Sequence, residues 1–190
     1  VVPTGYGYNE YHKPQMSLNH FWNINDHSNL STAVYVSKST GGGKRVYGDD
    51  KNRLQYDYQT GRPYAETSLT PEGLIDYESV MRDNAASVNG SSVVFTMETN
   101  AHDWYGLLST YTNNLSESLC LTAGIDGRYY KGYHYAEITD LLGGEYFIDN
   151  NIKYREPNRQ LFVGDKVNYH NIGNVMWLGG FVQAEITKAL

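Results

Sequence analysis

The chain has 190 residues, and its 15 Lys and Arg against 21 Asp and Glu give a formal net charge of −6. The length suits one ordinary domain, and the acidic balance argues against nucleic-acid binding, because phosphate contacts need a surplus of Lys and Arg. A single cysteine excludes an internal disulfide framework and a cysteine-based zinc site. No stretch approaches the roughly eighteen apolar residues of a membrane-spanning helix, and residues 1–4 lack the features of a signal peptide.

Aromatic residues are abundant, at 14% of the chain, beside 19 glycines and only 19% charged residues. This composition, with few Lys and Glu, is typical of strands rather than helices. The mean hydropathy of −0.56 suits a soluble chain. It is also compatible with a transmembrane β-barrel, in which loop and lumen-facing residues dilute the apolar ones.

A two-residue alternation predicts a β-hairpin over residues 13–39. Apolar residues take the even positions of 16–24 and 30–36, on either side of turn residues 26–29. A polar loop, 40–90, follows. Within this loop Thr70 and Pro71, followed by apolar residues at helical spacing, predict a short helix near 71–84.

A second hairpin is predicted over residues 91–135, with its turn at 114–117, followed by a loop over 136–173 and a last strand over 174–187. Each arm of this hairpin would be about twenty residues long, well beyond the roughly 3–10 residues of most globular strands. Short turns alternate with long loops, as in outer-membrane barrels, whereas a soluble sandwich scatters its loop lengths over both ends. Five strands are fewer than the roughly eight of the smallest membrane barrels, so the pattern predicts either part of a larger barrel or no membrane barrel at all.

Several runs resemble the barrel of TonB-dependent outer-membrane receptors, and most closely the Gram-negative subset whose members often carry a carboxypeptidase-regulatory-like N-terminal domain. They are EYHKPQ at 10–15, SLNHFW at 17–22, SNLST at 28–32, HDWYGLLS at 102–109, GID at 124–126, RYYKGYH at 128–134 and TDLLGG at 139–144.

The resemblance implies an all-β fold, namely a transmembrane antiparallel β-barrel segment of about five long strands with two long extracellular loops. Residues 1–190 would form an interior part of a barrel of about twenty-two strands that surrounds a plug domain. The implied function is import of a scarce nutrient (a siderophore, cobalamin, a glycan or a peptide) across the outer membrane of a Gram-negative bacterium. The implied partners are TonB, acting through a plug and N-terminal box outside this sequence, outer-membrane lipid and lipopolysaccharide, a surface lipoprotein and the small nutrient ligand, with no nucleic acid.

The sequence contains no catalytic constellation. Lys44 follows glycines, but Arg45 stands where a phosphate-binding loop needs Ser or Thr. No nucleophile elbow is present, and the six histidines are scattered. We therefore expect a non-enzymatic protein with no catalytic residue, cofactor or metal site.

Aromatic side chains in the two long loops are the expected ligand-binding residues, because their faces suit sugars and planar chelates. They are Tyr47, Tyr56, Tyr58, Tyr64, Tyr146, Phe147, Tyr154 and Phe162. The alternative is that these rings pack the loops against one another.

Three charged residues of polar parity, Asp126, Arg128 and Glu185, are expected to face the lumen, where they would guide ligand or dock the plug. Alternatively they solvate a wet interior or pair with each other. The odd positions of 119–129 and the even positions of 176–186 would face lipid, together with the even positions of the first hairpin. His20 falls on this apolar parity, so either a bulge or a polar neighbour must accommodate it.

Two rival functions fit parts of the pattern. One is a soluble, Tyr-rich β-sandwich that acts as a carbohydrate-binding module. The other is a porin-like passive channel without a plug.

Overall fold

The computed structural model describes residues 7–150 and 157–187, and its secondary structure is mostly antiparallel β. The strands are β1 (Asn9–His12), β2 (Gln15–Asn25), β3 (Ser28–Gly48), β4 (Val93–Ser116), β5 (Leu119–Asp140), β6 (Phe147–Ile148), β7 (Gln160–Leu161) and β8 (Lys166–Ile186). A 3₁₀ helix at Lys51–Leu54 and helix α1 at Tyr77–Ala86 lie between β3 and β4. No helix in the described ranges is long and apolar enough to cross a membrane.

Six strands form one sheet, in which β3, β4, β5 and β8 are neighbours in that order. Both β1 and β2 pair with β3, while β6 and β7 form a separate two-stranded sheet. The prediction of an all-β chain with about five long strands is confirmed. Across residues 7–150 and 157–187 the large sheet does not close on itself, so closure into a barrel stays a prediction.

The pairing of β2 with β3 places their apolar residues on one face. The strands are antiparallel, with Met16 opposite Val36, and directly opposed residues share a face of the sheet. The register is regular over residues 15–23 and shifts only between Asn23 and Asn25. His20 therefore occupies no bulge and lies opposite the polar Thr32.

The chain divides into two compact units, and β3, β4, β5 and β8 each contribute residues to both. We call one the loop unit (residues 1–11, 41–100 and 133–171) and the other the strand unit (residues 12–40, 101–132 and 172–190).

Among the described residues, every buried apolar side chain belongs to the loop unit. One cluster comprises Val46, Leu54, Ile75, Val80, Val93 and Leu142, and a second comprises Val94, Ala136, Ile138, Phe147, Leu161 and Val167. The loops are thus packed around hydrophobic cores of their own. The strand unit has no such core in its described part.

At the two long connections, three of the four strand ends extend into the segments predicted as loops. The connections span residues 49–92 and 141–165 rather than 40–90 and 136–173, and only β4 begins slightly later than predicted, at Val93. Gly41 and Gly48 lie within β3 at φ of 138° and 127°. Residues that carry a Cβ rarely adopt this backbone conformation, whereas glycine does so readily. A glycine-rich run that resembles a loop in sequence is therefore the irregular end of a strand.

Helix α1 begins at Tyr77 rather than near Pro71, because a tight turn intervenes. The Gly73 N–H donates to the Thr70 carbonyl at 2.9 Å, and Gly73 has a φ of +80°. The Asp76 carboxylate, not Thr70, caps the helix by accepting from the Ser79 N–H at 2.9 Å.

Asn84 is a buried polar residue that ties α1 to its surroundings. Its Nδ2 donates to the carbonyl oxygens of Val93 at 3.1 Å and Leu142 at 3.0 Å. Its Oδ1 accepts from the Ser92 N–H at 3.0 Å. One amide side chain therefore satisfies backbone groups at the start of β4 and in the β5–β6 connection.

We expect Asn84→Ala to lower the free energy of unfolding by about 2–4 kcal/mol, because it leaves buried backbone groups unpaired. Chemical denaturation measures the loss, and amide hydrogen exchange should show α1 opening first. The control is Asn89→Ala at an exposed position, where a change within about 0.5 kcal/mol is expected. Equal stability of the two variants would contradict this role.

Candidate functional site: a pocket on the polar face of the strand unit

One face of the strand unit is apolar and strongly exposed. We call it the apolar face. Met16 and Leu18 of β2 are 73% and 74% exposed, and Met176 and Leu178 of β8 are each 80% exposed. Concave parts of this surface are also lined by Val34, Val36, Tyr105, Leu107, Ile125, Tyr129 and Val182. These positions follow the alternating parity expected from the sequence on β2, β3, β5 and β8.

Aromatic residues lie on the same face, and the side chains of two of them are in contact. The rings of Tyr105 and Tyr129 are 6.3 Å apart, and the Tyr129 hydroxyl donates to Asn174 Oδ1 at 3.2 Å. The two rings and the Tyr129 hydroxyl therefore connect β4, β5 and β8 at one level, next to the apolar residues.

The opposite face, which we call the polar face, contains a pocket of about 520 Å³. Its lining residues come from three strands and stand at alternate positions, so their side chains point the same way. They are Trp104 of β4, Asp126, Arg128 and Tyr130 of β5, and Val175 and Trp177 of β8. We refer to it as the polar-face pocket.

A bidentate ion pair forms the charged part of this pocket. Arg128 Nε donates to Asp126 Oδ1 at 2.9 Å, and Nη2 donates to Oδ2 at 2.6 Å. The two residues are two positions apart on β5, which places both side chains on one face. Their side chains are 51% and 23% exposed, so the pair is accessible. The two formal charges in the pocket cancel.

Aromatic contacts hold the walls of the polar-face pocket in place. The Tyr35 ring meets Trp104 edge-on at 5.6 Å, and His102 lies 5.4 Å from the Tyr130 ring and 6.5 Å from Trp104. His102 Nε2 is in turn 3.2 Å from Ser37 Oγ. Such edge-on and tilted contacts stabilise aromatic clusters beyond the area that they bury, so neighbouring side chains support Trp104 and Tyr130 in their positions.

Tyr35 can reach Trp104 only because position 106 is a glycine. A Cβ on Gly106 would overlap the Tyr35 ring atom Cζ. The ring therefore lies directly over the backbone of the neighbouring strand.

The third predicted lumen residue, Glu185, is not part of this pocket. It lines a different concavity beside the hairpin turns, together with His27, Glu117 and Cys120. The structure thus brings together Asp126 and Arg128 but places Glu185 elsewhere in the strand unit.

Four of the predicted loop aromatics pack the loop unit. Phe147 is 5% exposed and belongs to a hydrophobic core, where it contacts the Tyr47 ring at 5.8 Å. The Tyr56 hydroxyl donates to the Gly73 carbonyl at 3.2 Å, and the Tyr146 hydroxyl donates to the Val88 carbonyl at 2.9 Å. A fifth predicted loop aromatic, Tyr64, is half-buried.

Two other loop aromatics are open to solvent. Tyr58 is 98% exposed and Phe162 is 50% exposed. Tyr58 follows Asp57, whose carboxylate accepts from the Gln59 N–H and the Thr60 hydroxyl; these bonds hold the pKa of Asp57 below its usual value. Tyr154 lies outside the described residues. Ligand binding by the loop aromatics stays a prediction.

Sequence reasoning missed the aromatic walls of the polar-face pocket. Trp104 and Trp177 are the main omissions, joined by Tyr130 and by the supporting residues Tyr35 and His102. Parity was a usable signal for Trp177, which alternates with the apolar residues of β8. It did not indicate that β8 lies beside β5.

The described residues contain no group of three His, Cys, Asp or Glu side chains that could hold a metal ion. Comparison with known proteins found no matching family model, curated protein or solved structure.

We expect Gly106→Ala to displace Tyr35 and to lower the free energy of unfolding by about 1–3 kcal/mol, as overpacking does. Near-ultraviolet circular dichroism should report the change around Trp104. The control is Gly173→Ala, since a Cβ there has no neighbour within 4 Å and should leave both signals unchanged. If the two variants were indistinguishable, Tyr35 would not depend on the glycine.

Proposed function

We propose that the chain forms part of the barrel wall of a TonB-dependent outer-membrane receptor, which binds a scarce nutrient and passes it inward. In this proposal the apolar face contacts lipid and the polar face lines the lumen. The loop unit stands on the extracellular side, where it takes part in ligand capture.

The exposed apolar face is the observation that carries the proposal. Monomeric soluble proteins rarely expose contiguous apolar patches beyond a few hundred Å². Here large side chains such as Leu18, Met176 and Leu178 are mostly exposed, and the described part of the strand unit buries no apolar side chain at all. The hydrocarbon core of a bilayer is an environment in which such exposed apolar side chains are favourable.

Strand length supports the same proposal. The long strands β3, β4, β5 and β8 have 21 to 24 residues, whereas about 9–11 residues suffice to cross a bilayer at a tilt. Each strand is thus long enough to cross and to continue beyond the membrane. Tyr105 and Tyr129, whose rings are in contact, suit the membrane–water interface. There the apolar ring can contact lipid while the polar hydroxyl contacts water or headgroups.

The proposal requires further strands, because the large sheet has open edges. In hydrocarbon each unpaired backbone group costs several kcal/mol. The free edges of β2 and β8 would therefore pair with further strands of the same barrel. The proposed import is a binding and conformational process, driven by TonB acting on a plug in the lumen, and it involves no bond chemistry.

A soluble carbohydrate-binding module is the second candidate, favoured by the aromatic polar-face pocket. Such a module would have to cover the apolar face with another sheet. The only other sheet among the described residues is the two-stranded pair of β6 and β7, which belongs to the loop unit. The exposed apolar face therefore favours the membrane proposal over this one.

The proposal predicts that Ile125→Lys destabilises the protein in phospholipid vesicles by about 2–4 kcal/mol if Ile125 faces mid-bilayer. Ile125 is half exposed on the apolar face. Thr122→Lys is the matched control on the same strand, because Thr122 has the opposite parity and its hydroxyl lies 3.4 Å from Thr112 Oγ1. Denaturant unfolding from vesicles measures both; equal losses would contradict the assignment of faces.

Fractionation tests the cellular location. Expressed in a Gram-negative host, the protein should sediment with outer-membrane density and resist extraction by alkaline carbonate. Recovery as a monodisperse monomer in detergent-free buffer would overturn the proposal.

A further inference from the structure

We infer that Asn89 is a modification site, at which the exposed side-chain amide deamidates spontaneously and the isoaspartate that forms loosens the connection between α1 and β4 (residues 87–92). The site lies in the loop unit. The inference does not depend on the receptor proposal, because the reaction needs only water and the chain itself.

The reaction starts from an asparagine that is followed by glycine. The backbone nitrogen of Gly90 loses its proton and attacks the side-chain carbonyl carbon of Asn89. A C–N bond forms, the bond to the side-chain nitrogen breaks, and that nitrogen takes up a proton and leaves as ammonia. One water then opens the five-membered succinimide ring at either carbonyl carbon, which yields aspartate or isoaspartate. Glycine has no Cβ to hinder the ring closure, and Asn89-Gly90 is the only Asn-Gly pair in the sequence.

The two reacting groups are free of competing hydrogen bonds. Within residues 7–150 and 157–187, neither the Asn89 side-chain amide nor the Gly90 N–H forms a hydrogen bond. Asn89 is exposed and the adjacent Val88 is 87% exposed, so water can reach the succinimide. Asn84 is the contrast in the same unit, because its buried amide is bonded to backbone groups and alanine follows it.

The fold requires glycine directly after Asn89. Gly90 has a φ of +81°, which residues with a Cβ rarely adopt. A Cβ at this position would also lie 2.6 Å from the Tyr146 carbonyl oxygen, closer than a van der Waals contact allows. The residue that makes Asn89 reactive is therefore the one that the connection needs.

Tyr146 holds the connection on both sides of this pair. Its hydroxyl donates to the Val88 carbonyl at 2.9 Å, and its carbonyl accepts from the Ser91 N–H at 2.7 Å. Isoaspartate routes the main chain through the side-chain carboxyl carbon, which adds one C–C bond of about 1.5 Å between these two anchors. The longer chain no longer matches the distance between the anchors, so we expect the hydrogen bond between Ser91 and Tyr146 to break.

The test is incubation of the detergent-solubilised protein in mildly alkaline buffer, followed by peptide mass spectrometry and an enzymatic methyl-transfer assay for isoaspartate. Residue 89 should show the mass shift of deamidation before any other asparagine does. The rate should fall in mildly acidic buffer, because the attacking nitrogen must lose its proton. The same chain unfolded in denaturant is the comparison: conversion there beside an intact Asn89 in the folded protein, or earlier conversion of another asparagine, would overturn the inference.

Asn89→Gln isolates the ring closure. The glutamine side chain is one methylene longer, so the attack would have to form a six-membered ring, and we expect the modification to disappear. Asn114→Gln is the matched control, because Asn114 is also exposed but precedes leucine, and this variant should keep the modification at position 89. Equal isoaspartate formation in the two variants would refute the assignment to Asn89.

Asn89→Asp separates the added charge from the added chain length. The freshly prepared variant carries the carboxylate on a main chain of normal length, so hydrogen exchange of the Ser91 N–H should stay slow. In aged protein that contains isoaspartate, the same N–H should exchange faster, because local opening exposes it to water. Equal exchange rates in these two samples would show that isoaspartate does not loosen the connection.

Discussion

Apolar surface that the chain cannot bury by itself is the constraint on which the rest of the structure depends. The long strands place apolar side chains at every second position on one face, and in the strand unit these side chains remain exposed. Water penalises such a surface by roughly 25 cal/mol for each Å², whereas hydrocarbon does not. The proposed bilayer removes the penalty without a second protein layer.

The same alternation separates two kinds of chemistry within one sheet. Because neighbouring residues point to opposite faces, a strand such as β5 can present Ile125 on the apolar face and Asp126 on the polar face. The loop unit follows a different principle: its side chains pack into two hydrophobic cores, and Asn84 satisfies buried backbone groups between elements. Preformed loops and a preformed pocket are both compatible with binding at low entropic cost.

Local periodicity predicted the strands and their faces but not the contacts between distant strands. The alternation at 16–24 and 176–186 is visible in sequence because its period is two. The extension of β3 to Gly48 is not, since glycines at positive φ resemble a loop. Thr70 and Pro71 resemble a helix start, yet Gly73 closes a turn and Asp76 provides the cap. Asp126 and Arg128 were predictable from parity, whereas Trp104 and Trp177 join them only through the order of β4, β5 and β8.

Spin-label accessibility tests the bilayer claim most directly. With Cys120 replaced by serine, a nitroxide is attached in turn to each position from 174 to 184 in vesicle-embedded protein. The account predicts that even positions collide preferentially with oxygen, which concentrates in hydrocarbon, and odd positions with a water-soluble nickel chelate. Collision rates without this alternation, or uniform access to the nickel chelate, would show that the apolar face does not contact lipid.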